Sequence, residues 1–426
     1  MVFAAIYLST WAGHYTTRDG IHKINWAKAM LDGKVHDTTS KYGIGHTLLA
    51  IPPLAAARII QTRTGIHAEP ALYTLMFVMN GALFLSLVAF YLAHFYPPHA
   101  VWKTVLILGL ATIWWPYTKL DFSAPLVLTT AFLGFVVMRF GSPFWGMLIV
   151  AFTLAIRADS VAIVAPLMLW CLFTHRSVRV GFQLVAAAVP SIALVGWSDW
   201  IRYHSLFNHG YDGEQFSNPL LVGLYGILLS SGKSIFLFSP PLILGVLGWR
   251  VFAQRDRLRS DAWLFLSIAV AQLILFAKWW DWSSDDAWGV RFVIPGVLLM
   301  CIPLVAILAR RKLVIPLVGA GIAIQLLAVL VGPLNFIEMF RAQTFQREAL
   351  YVGGRNRVDF EDIRYDPSYN QILGSWILFR ELIHLPPSPA NPRDAQYIGT
   401  RLFDAAKPQV WVSAAYWDLI WNARRK

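Results

Sequence analysis

The chain has 426 residues, 57% of them hydrophobic and only 14% charged, against roughly 25% charged in a soluble domain. This excludes an ordinary soluble enzyme and points to an all-α integral membrane protein. The net charge of +12 does not argue for nucleic acid here, because in a membrane chain the placement of charge matters more than its sum.

The first apolar stretch, 1–12, has no basic n-region and no small-residue cleavage site, so no cleavable signal peptide is expected. It leads into the first long polar segment, Trp11 to Pro53, which carries Asp19, a helix-like run from Ile21 to Leu31, and Lys41. Residues 43–60 are apolar but interrupted by Pro52 and Pro53 and followed by Arg58 and Arg63. They read as a re-entrant or interfacial helix. Runs able to cross a bilayer recur at 1–15, 71–95, 101–116, 123–139, 143–156, 160–174, 180–200, 233–251, 261–278, 290–309 and 313–333, about eleven spans. Cys171 and Cys301 lie inside such runs, so neither a disulfide framework nor a cysteine metal site is expected. The spans define a membrane domain, 1–333, with a first outer loop at 16–70. A tail, 334–426, holds two amphipathic pieces at 369–384 and 410–421.

Charge orients the spans. One set of loops holds Lys103, Arg139, Arg176, Arg179, Arg250, Arg255, Arg257, Arg259, Arg310, Arg311 and Lys312, with few acids. The positive-inside rule makes this set cytoplasmic. The other set, 16–70, 117–122, 157–159, 201–232 and 279–289, falls outside with most of the acids.

The outer loops carry the candidate chemistry. Asp19 taken alone reads as the N-cap of the helix that follows. A second acid, Asp121, is placed equivalently in the next outer loop. Two acids over one hollow could hold a divalent metal or accept a proton. Lys41, Arg157, Arg202, Lys233 and Arg291 are individually common as headgroup-snorkelling residues. Gathered on a side where cations are sparse, they point to an anionic ligand. Gly226 to Ser234 resembles a phosphate loop, but it has one residue too many between its glycines and no preceding strand, so a nucleotide site is rejected. Trp279, Trp280, Trp282 and Trp288 read first as an interfacial aromatic belt. The alternative is stacking on a sugar, with Trp282, Trp288 and Tyr211 as contacts. His14, His22, His36 and His46 have no zinc-site spacing.

In order along the chain, SKYGIGHTLLAIPP (40–53), YTKLDFSAP (117–125), PLLVGLYGILLSSGKSIFLFSPP (219–241) and KWWDWSSDDAWGVRFVIP (278–295) resemble the polyprenyl-phosphate-sugar-dependent glycosyltransferases with the GT-C fold, which include bacterial aminoarabinose and mannosyl transferases. The resemblance implies a sugar donor on an undecaprenyl- or dolichyl-type phosphate, used at the outer face of the inner membrane, and a glycan, lipid or protein acceptor. It assigns catalysis to Asp19 and Asp121, and the donor phosphate to Lys41, Arg157, Arg202 and Arg291, with Lys233 behind them. A divalent ion on Asp19 and Asp121 is the candidate cofactor. Two departures stand out: Gly20 occupies a position where relatives often carry a second acid, and Ser283 to Asp286 replace expected small residues. An acceptor hydroxyl attacking the anomeric carbon in line would invert it. A flippase or transporter is the competing class, but it should show repeated halves and mid-membrane ionisable groups. An assembly subunit without catalysis is the third. The enzyme reading requires Asp19 and Asp121 to share one hollow.

Overall fold

The computed structural model describes residues 2–13, 17–35, 40–206, 208, 210–211, 213–284, 287–332, 361–367, 370–384, 397–399 and 409–411. The described elements are almost all helical. In order they are α1 (Val2–Ser9), α2 (Arg18–Leu31), α3 (Ile44–Thr64), α4 (Glu69–Ala93), α5 (Pro98–Ala111), α6 (Trp114–Tyr117), α7 (Ala124–Phe140), α8 (Pro143–Ile156), α9 (Val161–His175), α10 (Val178–Tyr203), α11 (Leu220–Leu229), α12 (Ile235–Phe238), α13 (Pro241–Ala253), α14 (Asp256–Ala277), α15 (Ile294–Cys301), α16 (Arg311–Val331), α17 (Glu361–Tyr365) and α18 (Gln371–His384). A small antiparallel pair joins Tyr397–Gly399 to Gln409–Trp411.

Among the described residues, five helices are long and apolar enough to cross a membrane: Glu69–Ala93, Ala158–His175, Val178–Tyr203, Asp256–Ala277 and Arg311–Val331. Shorter apolar helices accompany them at Pro98–Ala111, Ala124–Phe140, Pro143–Ile156, Leu220–Leu229, Pro241–Ala253 and Arg291–Ile307. The chain is a multi-pass helical membrane protein. Among the described residues of the span expected at 1–15, the helix is the eight residues of α1, about 12 Å long. The run expected at 233–251 is broken into α12 and α13 at Ser239-Pro240. Residues 44–64 form one continuous helix through Pro52 and Pro53, and that helix packs on α2, α4 and α8.

The core is built around α7 and α8, with α4 and α10 against them and α13, α14 and α15 forming a second packed group. Helix α10 buries one stripe (Leu184, Ala187, Ala188, Ser191) and exposes Phe182, Val185, Val189, Ile192 and Trp197. A helix apolar nearly all round is suited to lipid on its free faces.

The connecting loops gather at two ends. Helix α14 separates them by its 22 residues, roughly 33 Å. At its start, Asp261 accepts from Tyr91 Oη at 2.9 Å and from Arg139 Nε at 3.1 Å, and Arg255 donates to the Phe95 carbonyl. At its end lie Trp279 and Trp280, where Asn218 N–H donates to the Lys278 carbonyl and Trp280 N–H to the Gln215 carbonyl, 3.1 Å each, and Glu214 meets both Trp280 and Lys41. The two loop sets separated by charge in the sequence are therefore the two ends of the bundle.

Residues 361–367 of the tail bond to the loops before α12 and before α15. Gly232 N–H donates to the Arg364 carbonyl at 3.3 Å, Ser231 Oγ to the Tyr365 carbonyl at 2.5 Å, and Arg364 Nε to Ser283 Oγ at 2.9 Å. Helix α18 covers most of the amphipathic piece expected at 369–384 and packs on α16. Of the piece expected at 410–421, Val410 and Trp411 are strand and the remainder lies outside the described residues.

Candidate active site

The site begins at the first turn of α2. Its N-cap is Thr17, whose side-chain oxygen accepts from Gly20 N–H at 2.9 Å. Asp19 is therefore a first-turn residue and not the cap, which corrects the capping reading and leaves its carboxylate to face other groups. A carboxylate in the first turn is also favoured by the helix dipole. Asp19 Oδ1 accepts from Tyr42 Oη at 2.6 Å, and Oδ2 lies 3.4 Å from Arg291 Nη1.

Asp121 arrives from the α6–α7 loop and is fully buried. Its carboxylate lies flush against the backbone of α2: a Cβ placed on Gly20 would sit 1.8 Å from Asp121 Oδ2. The missing second acid at position 20 thus has a steric cause, since no side chain fits between α2 and Asp121. Asp121 thus lies against the same turn of α2 that carries Asp19. His46 anchors this loop by bonding Ser123 Oγ at 2.8 Å and Tyr73 Oη at 2.9 Å.

Lys23 completes the cluster, and the sequence reading passed over it. It is only 2% exposed and lies one turn after Asp19, on the same face. Its Nζ stands 4.6 Å from the Tyr42 ring centroid, and among the described residues it has no hydrogen-bond or ion-pair partner. The signal was present in the sequence. Gly20, Lys23, Ile24 and Ala27 follow the i, i+3, i+4, i+7 spacing of a buried stripe, and all four are buried. A lysine inside an apolar stripe needs a local reason.

Electrostatics bind these groups together. Burial pushes the Asp19 carboxyl up, but Arg291, Lys23, the Tyr42 hydrogen bond and Arg157 outweigh it and hold the pKa at about 2. Burial pulls Lys23 down to about 8, against the opposing pull of Asp19 and Asp121. Burial and then Asp19 raise the Tyr42 phenol, which stays protonated and donating. Arg157 ion-pairs with Asp159, its Nε 2.9 Å from Oδ1, and its guanidinium lies 5.2 Å from the Phe292 ring centroid. Arg291 stacks on Phe122 at 4.4 Å. At the edge, Lys41 ion-pairs with Glu214 and lies 5.1 Å from the Tyr211 ring centroid.

Asp19, Asp121, Lys41, Arg157, Arg291 and Tyr211 therefore belong to one neighbourhood. Arg202 does not act there as an anion ligand. Its five N–H donors go to Ser198 (O at 3.0 Å, Oγ at 3.2 Å), the Ser40 and Tyr42 carbonyls (2.9 Å each) and Asp199 (2.6 Å). None is left for a phosphate, and the residue instead fixes the loop that carries Lys41 and Tyr42. Lys233, fully buried, donates to the Ala287 carbonyl at 2.9 Å, to Gln371 Oε1 at 3.1 Å and to the Gly289 carbonyl at 3.5 Å. It joins α18 to the 287–289 loop and is reassigned from phosphate binding to scaffold. Trp282 and Trp288 are 1% and 0% exposed, too enclosed for either a belt or a sugar platform. Trp282 packs on Gly226, and Trp288 donates to Gln325 Oε1 at 3.3 Å. Trp280, which is exposed, donates to Glu214 Oε2 at 3.4 Å. Asp212, Asp285, Asp286, His14 and His36 lie outside the described residues.

The acids do not fit a divalent metal. Such an ion needs several oxygen ligands, whereas both Asp19 oxygens face protein donors and Asp121 is pressed against α2. Among the described residues no group of three or more His, Cys, Asp or Glu could hold a metal.

Two stability outcomes follow from this assignment. Arg202→Met should cost about 3 kcal/mol or more by removing the buried ion pair with Asp199 and the donors to the Ser40 and Tyr42 carbonyls, whereas Lys41→Ala should cost under about 1 kcal/mol because its pair is partly exposed. Thermal melts of the purified variants separate them. Gly20→Ala should cost roughly 1–3 kcal/mol by overpacking against Asp121, read in the same melts.

No protein-family model and no curated protein sequence matches the chain. Among solved structures, ArnT from Cupriavidus metallidurans bound to undecaprenyl phosphate is similar at a TM-score of 0.48 and 14% identity, over 95% of this chain and 81% of that one. The apo form of the same protein is similar at a TM-score of 0.47 and 14% identity, over 90% and 69%. These likenesses assign the chain to no family.

Proposed function

We propose that this protein is an inverting GT-C-type glycosyltransferase. It moves a sugar from a polyprenyl-phosphate donor to an acceptor hydroxyl at the periplasmic face of the bacterial inner membrane. The observation that carries the reading is the placement of Asp19 and Asp121 beside Arg291, Arg157 and Lys23 at one end of an apolar bundle. Carboxylates can orient and deprotonate a hydroxyl. Fixed cations stabilise a phosphate that leaves with increasing negative charge. An apolar bundle is the natural support for a greasy carrier. Tyr211 and Lys41 line the edge where the sugar and phosphate would enter.

Asp19 at a pKa of about 2 is a weak base while Arg291 faces it. A donor phosphate that engages Arg291 draws its charge away from Asp19, and the carboxylate becomes more basic as the complex forms. In that arrangement Asp19 takes the proton of the acceptor hydroxyl. Asp121, fully buried against Gly20, acts from behind the α2 turn that carries Asp19 and does not touch the sugar. Arg291, Arg157 and Lys41 receive the departing phosphate. A single in-line displacement inverts the anomeric centre.

The test uses full-length protein in nanodiscs with a lipid-linked sugar extract, and follows transfer by mass spectrometry. Asp19→Asn should lower turnover by about 10²-fold or more while undecaprenyl phosphate still binds. Arg291→Met should weaken that binding. Full transfer by Asp19→Asn would sink the assignment, and absence of any binding of undecaprenyl phosphate would sink the donor class. The pH dependence has a defined sign. Lys23 is a cation below about 8 and loses its charge above it, so binding of undecaprenyl phosphate should weaken as pH rises from 7 to 9. In Lys23→Arg the weakening should disappear from that window, since an arginine keeps its charge, and His22→Gln should leave it in place.

A further inference from the structure

At the rim of the site stands a carboxylate to which the transfer chemistry gives no part. Glu214 ion-pairs with Lys41, and the Lys41 ammonium lies 5.1 Å from the Tyr211 ring centroid. Both ends of the pair are fixed through their loops. Arg202 Nη1 donates to the Ser40 and Tyr42 carbonyls at 2.9 Å each, on either side of Lys41. Glu214 N–H closes a turn on the Tyr211 carbonyl at 3.0 Å. The residues after it are tied to the end of α14, through Gln215 to Trp280 N–H, through Asn218 N–H to the Lys278 carbonyl, and through Asn218 Nδ2 to the Ala277 carbonyl at 2.7 Å. Trp280 Nε1 holds the second carboxylate oxygen at 3.4 Å. The pair is thus preset, yet its side chains remain 38% and 21% exposed. Phe216, Trp280 and, at the start of α11, Leu220 and Leu221 are exposed on the same segments, as suits side chains at the membrane boundary.

A lysine left unpaired at that level reaches for the phosphates of anionic lipids, which a bilayer presents in large excess over any carrier. Specificity against such a competitor is built by placing a repulsive group where only the competitor suffers from it. Glu214 meets that requirement. A phospholipid headgroup that touches Lys41 alone gains one attraction that Glu214 already supplies, and it leaves Glu214 unpaired beside a second anion. A phosphate that also engages Arg291 and Arg157 draws on several cations at once and outweighs one partly exposed pair. We infer that Glu214 is a specificity-determining residue, tethered against Lys41 to exclude anionic phospholipid headgroups from the rim and to yield to a phosphate that reaches the cations behind it. The inference rests on the reading of Lys41 as part of the donor phosphate site.

The experiment places full-length protein in nanodiscs of phosphatidylcholine alone or of phosphatidylcholine and phosphatidylglycerol in equal parts. Native mass spectrometry counts the phosphatidylglycerol retained, and undecaprenyl phosphate binding is measured separately in both discs. Wild type should retain no phosphatidylglycerol that Lys41→Met removes, and its affinity for undecaprenyl phosphate should be the same in the two discs. Glu214→Gln should raise phosphatidylglycerol retention about threefold, as loss of a partly exposed pair allows, and the gain should vanish in the Glu214→Gln, Lys41→Met double variant. The same single variant should bind undecaprenyl phosphate more tightly than wild type in phosphatidylcholine and lose that advantage in the mixed discs. Glu214→Ala, checked for monodispersity alongside, provides the same test should the glutamine variant misfold. Lys41-dependent retention of phosphatidylglycerol by wild type overturns the inference. So does the lack of any gain in well-folded Glu214 variants, or weaker undecaprenyl phosphate binding by them in phosphatidylcholine. A failure of every form to bind undecaprenyl phosphate, with the phosphatidylglycerol pattern intact, counts against the glycosyltransferase reading alone.

Discussion

The described site depends on keeping Asp19 charged while mostly removed from water. A carboxylate at the rim of an apolar bundle would ordinarily neutralise. Here Arg291, Lys23 and the Tyr42 hydroxyl surround it and keep it ionised. Each partner comes from a different place in the chain: Lys23 from the same helix, Tyr42 from the loop after it, Arg291 from the start of the short helical turn that leads into α15. The charge on one residue therefore requires three segments to be correctly assembled, and the packing of α2, α3 and α8 serves that assembly.

The cations of this end divide by what satisfies their donors. Arg202 and Lys233 direct their N–H groups at backbone carbonyls, an amide oxygen and, for Arg202, one buried acid, and they shape loops. Arg291, Arg157 and Lys41 are held by carboxylates and aromatic faces, contacts that an incoming phosphate can share or replace. Glu214 is the counter-ion of Lys41 at the rim, so an anionic ligand reaching Lys41 would compete with a single half-exposed carboxylate and not with a buried network. A cation's place in a loop says little about its use, whereas the number of donors already committed says much.

The tail has a parallel role. Its described residues reach back to Gly232, Ser231, Ser283 and Lys233 through main-chain carbonyls, Arg364 and Gln371. This ties α17 and α18 to the loop that ends at Arg291. The sequence treated 369–384 as a surface helix beside the membrane domain. In the fold, Gln371 and Ser375 on α18 are fully buried, so the helix is part of the wall.

The sequence by itself determined the class of the molecule and the division of its loops into two sets. Apolar runs and the split of charge between alternate loops follow from hydropathy and the positive-inside rule, and both are local properties. Asp19 and Asp121 could be paired from the sequence because loops on one side of a bundle must meet at one end. What only the tertiary structure decided was which charged groups are already used. Arg202 and Lys233 lost their expected role to carbonyls 54 or more residues away in sequence, and Trp282 and Trp288 lost theirs to the core. Lys23 gained a role because helix α2 turns that face inward against Asp121, and no local pattern fixes what a buried helix face will meet.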